Sequence, residues 1–169
     1  MLAASFAASP SPAAARACDS AGAVPAKKGQ RAAVRATLCK LNAARERHGL
    51  KPLKLNRRLS RAARRHSRDM VRRDYFAHDS PDGATVVGRI RRSGYLRGAR
   101  SWTVGENLAW GTGRRSTPRA ITKGWMNSAG HRANILSRSF RDIGIGVALG
   151  APGVTGRAAT YTTDFGSRD

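Results

Sequence analysis

The chain has 169 residues, 40% hydrophobic and 25% charged, which suits one folded domain with a real core and excludes a disordered chain. Its 32 lysines and arginines against 10 acidic residues give a net charge of +22, which points either to an anionic cell-wall polymer or lipid surface as partner or to arginine used generically at solvated positions. No apolar run of about 18 residues is present to cross a membrane as a helix, and the arginines are scattered with few aromatics among them, which argues against a nucleic-acid surface.

Residues 1–30 read as leader and linker, rich in Ala, Ser, Pro and Gly and without periodicity. The leader is signal-peptide-like to about residue 17. Ala15-Arg16-Ala17 forms an A-x-A pattern that suits cleavage before Cys18 and export to the envelope or beyond. No basic segment precedes it, so a plain Ala/Pro tail is the competing reading. The two cysteines, Cys18 and Cys39, suit an exported chain and would close one disulfide from the N-terminal segment to the first helix; the alternative is two unpaired thiols.

Residues 31–169 read as one domain. Val34, Leu38, Leu41 and Ala44 recur at helical spacing until Gly49. LKPLKLN then crosses to a second helix capped by Asn56, with Leu59, Ala62, Ala63, His66 and Met70 on one stripe and arginine on the other face. DYFAHDSPDG, residues 74–83, is a loop by its turn signals, and a short helix follows over TVVGRIRRSG. TVGENLAW, residues 103–110, reads as extended. Thr117-Pro118 opens a third long helix that runs to about Ser128, and GHRANIL, residues 130–136, reads as a turn and loop after it. Two strands, Asp142 to Leu149 and Ala158 to Phe165, close the chain around a GAPGVTGR loop. Helices first and strands last, with no βαβ alternation, predict an α+β fold with helices on a small antiparallel sheet.

Of four histidines, His48 reads as a surface residue at a helix end and His66 as a buried, hydrogen-bonded one. His78 and His131 stand in polar segments where function concentrates, and Glu106 is a rare acid inside an apolar strand. Two imidazoles and a carboxylate are capable of holding a divalent metal such as zinc, or of sharing protons in a buried network. Ser80 and Ser128 are candidate nucleophiles, each beside a turn or helix end where a capping role is the better reading. Neither a G-x-S-x-G elbow nor an H-E-x-x-H helix is present.

FAHDSPDG, VGENLAWG, GWMNSAGHRANIL, DIGIGVAL and YTTDFG, in this order from about Cys39 to Gly166, resemble the CAP superfamily of cysteine-rich secretory, antigen 5 and pathogenesis-related 1 proteins, in its bacterial SCP-like branch. The resemblance implies an α-β-α sandwich with a cleft lined by His78, Glu106 and His131, with Asn107 and Asn127 beside them. His78 and His131 become the candidate metal ligands. The family's second glutamate has no counterpart in Trp125-Met126-Asn127-Ser128, which weakens a tight metal site and any mechanism needing two carboxylates. The function implied is a secreted, monomeric module that binds a metal or small ligand. The alternative is a hydrolase, metal-assisted or not, using His78, Glu106 and His131.

Overall fold

In a computed structural model of the chain, residues 18–169 are described. The A-x-A pattern and the rest of the leader lie outside these residues. The elements, in chain order, are α1 (Gln30–Glu46), β1 (Lys54–Leu55), α2 (Arg57–Arg72), α3 (Val86–Arg92), β2 (Trp102–Thr112), α4 (Pro118–Asn127), α5 (Ala129–Leu136), β3 (Asp142–Ala151) and β4 (Val154–Arg168). The strands lie in the order β1-β3-β4-β2.

Strand alternation divides the sheet into two faces. On one face Ile143, Ile145, Val147, Tyr161 and Phe165 pack with Leu41 of α1, Ile121 and Trp125 of α4 and Ile135 of α5. On the other face Gly144 and Gly146 let α2 rest directly on β3, because a Cβ at either would strike the α2 backbone at Leu59 and Ala63. Leu59 and Ala62 of α2 then pack with Ile90 of α3 and with Tyr95. Helices on both faces make the three-layer α+β sandwich.

Several local expectations hold. The stripe Leu59, Ala62, Ala63, His66 and Met70 is buried as a unit. Asn56 caps α2 by accepting from Arg58 and Leu59 N–H. Thr117 caps α4 with Pro118 in its first turn. Cys18 and Cys39 form a disulfide with Cα atoms 5.5 Å apart. Part of the expected linker is thereby folded, with Ala21 buried in a 3-10 turn.

Three expectations need correction. The sheet is mixed rather than antiparallel: LKPLKLN contains β1, which pairs parallel to β3 through Lys54 N–H to Arg141 O and Asn56 N–H to Ile143 O. GAPGVTGR is a β-hairpin, not a free loop. β3 and β4 continue through it to an Ala151–Val154 pair, and the positive φ of Gly150 and Gly153 serves a bulge and a tight turn. GHRANIL is helix: Ser128 alone breaks α4 from α5, with extended backbone at φ −103° and ψ 123°.

Candidate functional site

Glu106 lies in β2, an outer strand of the sheet, and its side chain turns toward α2 and α3. Both of its carboxylate oxygens are taken. His78 Nδ1 lies 2.8 Å from Oε1, and Arg89 Nη2 donates to Oε2 at 2.8 Å. Arg89 is fixed in turn by donating from Nη1 to Ala84 O at 2.8 Å. His66 Nε2 is 4.0 Å from the same Oε1 but spends its hydrogen bond on Ala77 O at 3.0 Å. Tyr75 OH donates to Asp69 Oδ2 at 2.7 Å and lies 3.0 Å from Ser80 Oγ, which ties the 74–83 loop to α2.

The protonation states follow from these partners. Burial alone would push the Glu106 carboxyl up, but the His78 hydrogen bond and the Arg89 charge outweigh it and hold the pKa below the usual range. The same hydrogen bond raises His78, against the opposing effect of its partial burial. Burial lowers His66, with Glu106 working against it. His131 is lowered by burial and then by positive charge on His78, so the two imidazoles feel each other across the cleft. The two imidazoles are thus driven apart, His78 toward its protonated form and His131 toward its neutral one.

His131 stands in the first turn of α5, with its Nδ1 2.9 Å from Ser128 Oγ. Ser128 is the N-cap residue of α5 yet makes no side-chain cap, so the expected capping role gives way to this contact. Ser80 Oγ is likewise held by Tyr75. Asn107 is 0% exposed, and its amide donates to His131 O at 3.0 Å and accepts from Asn134 Nδ2 at 2.8 Å. It clamps α5 to β2 and has no face for a ligand. Asn127 is exposed at the last residue of α4, beside Ser128. His48 is at the end of α1, as expected, with Nδ1 2.9 Å from Ala44 O.

Sequence reasoning missed two residues. Arg89 is one arginine among many and carries no signal of its own. Asp164 faces Glu106 directly across the β2–β4 ladder and is 1% exposed. Neither of its oxygens has a hydrogen-bond partner among the described residues. Burial and the Glu106 charge raise its pKa well above the usual range, which favours its neutral form. Its signal was available: like Glu106, it is an acid inside a strand of small and apolar residues.

The donor set bears on the metal. Glu106 is buried behind His78 and Arg89, so an ion at the exposed rim would find the Nε2 atoms of His78 and His131, fewer than the three protein ligands of catalytic zinc. Among the described residues no group of three or more His, Cys, Asp or Glu side chains is placed to hold a metal. These residues do not fit a resident zinc centre. Behind the cluster a groove of about 570 Å³ opens between α2 and α3, walled by His66, Ser80 and Arg89 among others.

The arrangement matches known proteins. Residues 38–163 match the cysteine-rich secretory protein family, CAP. The chain is 42% identical over 105 residues to the uncharacterized protein YkwD of Bacillus subtilis (strain 168), covering 62% of this chain and 38% of that protein. An extracellular protein containing an SCP domain from Bacillus anthracis superposes with TM-score 0.62 at 30% identity, over 80% of this chain and 42% of its own. An outer surface protein of Borrelia burgdorferi shares the fold with TM-score 0.65 at 18% identity, over 80% and 92%. The chain thus spans under half the length of the two Bacillus proteins. No helix among the described residues is long and apolar enough to cross a membrane. With the fold, the five sequence blocks and the family match in agreement, the chain belongs to the CAP superfamily, in its bacterial SCP-like branch.

Proposed function

We propose that the chain is an exported, extracellular binding module whose His78–His131 cleft takes a small anionic group. A basic exterior attracts it to an anionic wall polymer or lipid surface. The observation that carries this reading is the burial of Glu106 between two cationic partners. A carboxylate gripped by Arg89 and His78 and buried behind them is a fastener that a substrate in the cleft does not reach. What it presents outward is the exposed imidazole of His78, whose protonated form Glu106 favours, a donor matched to carboxylate or phosphate oxygen. The extracellular setting is supported by the disulfide and by the Bacillus anthracis relative.

Inorganic phosphate is the probe. In histidine-detected NMR, phosphate should move the ring signals of His78 and His131, and Glu106→Gln should abolish the response. Unmoved signals in the wild type would end the proposal.

One observation favours the hydrolase alternative: Ser128 Oγ and neutral His131 form a hydroxyl–imidazole pair at 2.9 Å. In this reading His131 takes the Ser128 proton as general base. Turnover of activated esters that is lost in Ser128→Ala would establish it.

A further inference from the structure

We propose that the free edge of β3 accepts a short, extended acidic peptide as an added strand, between two rows of arginines. β1 pairs only with Asp142 and Ile143, so from Gly144 onward this edge has no neighbouring strand among the described residues. Ile143 directs its carbonyl outward, to Asn56 N–H. No register shift intervenes before Leu149, so strand alternation aims the N–H and C=O of Ile145 and Val147 the same way. Both residues line a groove of about 680 Å³ beside that edge.

The walls of the groove are basic. Arg57, Arg61, Arg64 and Arg68 descend from α2 at helical spacing, and Arg31 and Arg35 rise from α1 on the other side. No acidic residue lines it. None of these six guanidiniums pairs with a carboxylate among the described residues, whereas Arg72, Arg73 and Arg89 all do. Six unpaired like charges around one groove repel each other, and an anionic occupant relieves that repulsion.

Two features select the occupant. The outward N–H and C=O groups ask for a partner with both acceptors and donors at strand spacing, which a peptide backbone supplies. The arginine rows flank both faces of an added strand, so its alternating side chains meet positive charge on either side. The same arginines reject a second copy of this edge. The inference is independent of the His78–His131 cleft, which lies at the β2 side of the sheet.

The test titrates the chain with capped hexaglutamate, with the same peptide N-methylated at alternate residues, and with inorganic polyphosphate. Hexaglutamate should bind and shift the amide signals of Ile145 and Val147. N-methylation keeps the charge and removes backbone donors, and should weaken binding about tenfold. Arg61→Ala/Arg64→Ala, checked for intact fold by circular dichroism, should weaken it further. Absent binding, or equal binding of the methylated peptide or of polyphosphate without shifts at Ile145 and Val147, overturns strand addition.

Discussion

Glu106 and Asp164 face each other across the β2–β4 ladder, both buried, and their carboxyls are driven apart, Glu106 toward the charged form and Asp164 toward the neutral one. Arg89 and His78 bind Glu106 directly, and the Arg89 charge reaches Asp164 too weakly to offset its burial and the Glu106 charge. Asp164 is an acid with a raised folded pKa. Its stabilising contribution is complete below the unfolded pKa near 4 and is lost as pH rises toward the folded value. Asp164→Asn should therefore stabilise the protein at pH 7, by about 1 kcal/mol or more, since each tenfold change in proton affinity is worth about 1.4 kcal/mol. The gain should vanish below about pH 4. Urea unfolding at both pH values checks this, and an unchanged midpoint at pH 7 would mean Asp164 is ionised and partnered after all.

Arg89 should be the most costly residue of the cluster to remove. Its guanidinium is buried and bridges Ala84 O to Glu106, joining the start of α3 to β2. Arg89→Met strands a buried carboxylate, a loss of about 3 kcal/mol or more. Arg89→Met combined with Glu106→Gln removes the orphaned charge and should recover a large part of it. Additive losses in the double variant would contradict the pairing.

The frame was legible in the sequence because it is built from periodicity and caps. The α2 stripe, the Asn56 and Thr117 caps and the two long strands all announce themselves locally. What stayed hidden depends on contacts between distant residues. β1 is two residues whose pairing exists only because β3 arrives beside them. GAPGVTGR looked like a loop because its glycines and proline mark turns, yet here they shape a hairpin. At the site, the family blocks single out His78, Glu106 and His131, and the structure brings the first two to 2.8 Å. The charge on Glu106 is held by His78 and also by Arg89, 17 positions away and indistinguishable in sequence from its arginine neighbours.

His78 and His131 should titrate in opposite directions from ordinary histidine. His78, raised by its bond to Glu106, favours the folded state below the unfolded pKa near 6.5, and that contribution is lost as pH rises through its folded value. His131, lowered by burial and by His78, behaves oppositely: stability rises with pH through its window. Histidine NMR titration should give the order His78 above His131, and Glu106→Gln should bring His78 down. A His78 that titrates below His131 would break the assignment.

Zinc should bind only loosely and in competition with a proton. The two available Nε2 atoms must both be neutral, and His78 resists deprotonation, so affinity should rise as pH climbs through its raised pKa. Calorimetry in buffers of different ionisation enthalpy should show proton release on binding. Loss of the signal in His78→Ala/His131→Ala should accompany it. Tight, pH-independent binding would require a third protein ligand that the geometry does not supply.

Two glycine variants should separate the helical from the loop reading of GHRANIL. Gly130 lies in the first turn of α5, and a methyl group added there would meet nothing within 4 Å, so Gly130→Ala should be neutral or stabilise by roughly 0.5 kcal/mol. Gly146 is the contrast, because its Cβ would meet the α2 backbone at Ala63 rather than a movable side chain. Gly146→Ala should cost about 2 kcal/mol or more by lifting α2 from β3. It should also disturb His66, one turn further along α2, and with it the Glu106 cluster. Thermal unfolding and the histidine signals read both effects. A destabilising Gly130→Ala would mean that the segment needs glycine for a turn, and His131 would then sit on a loop.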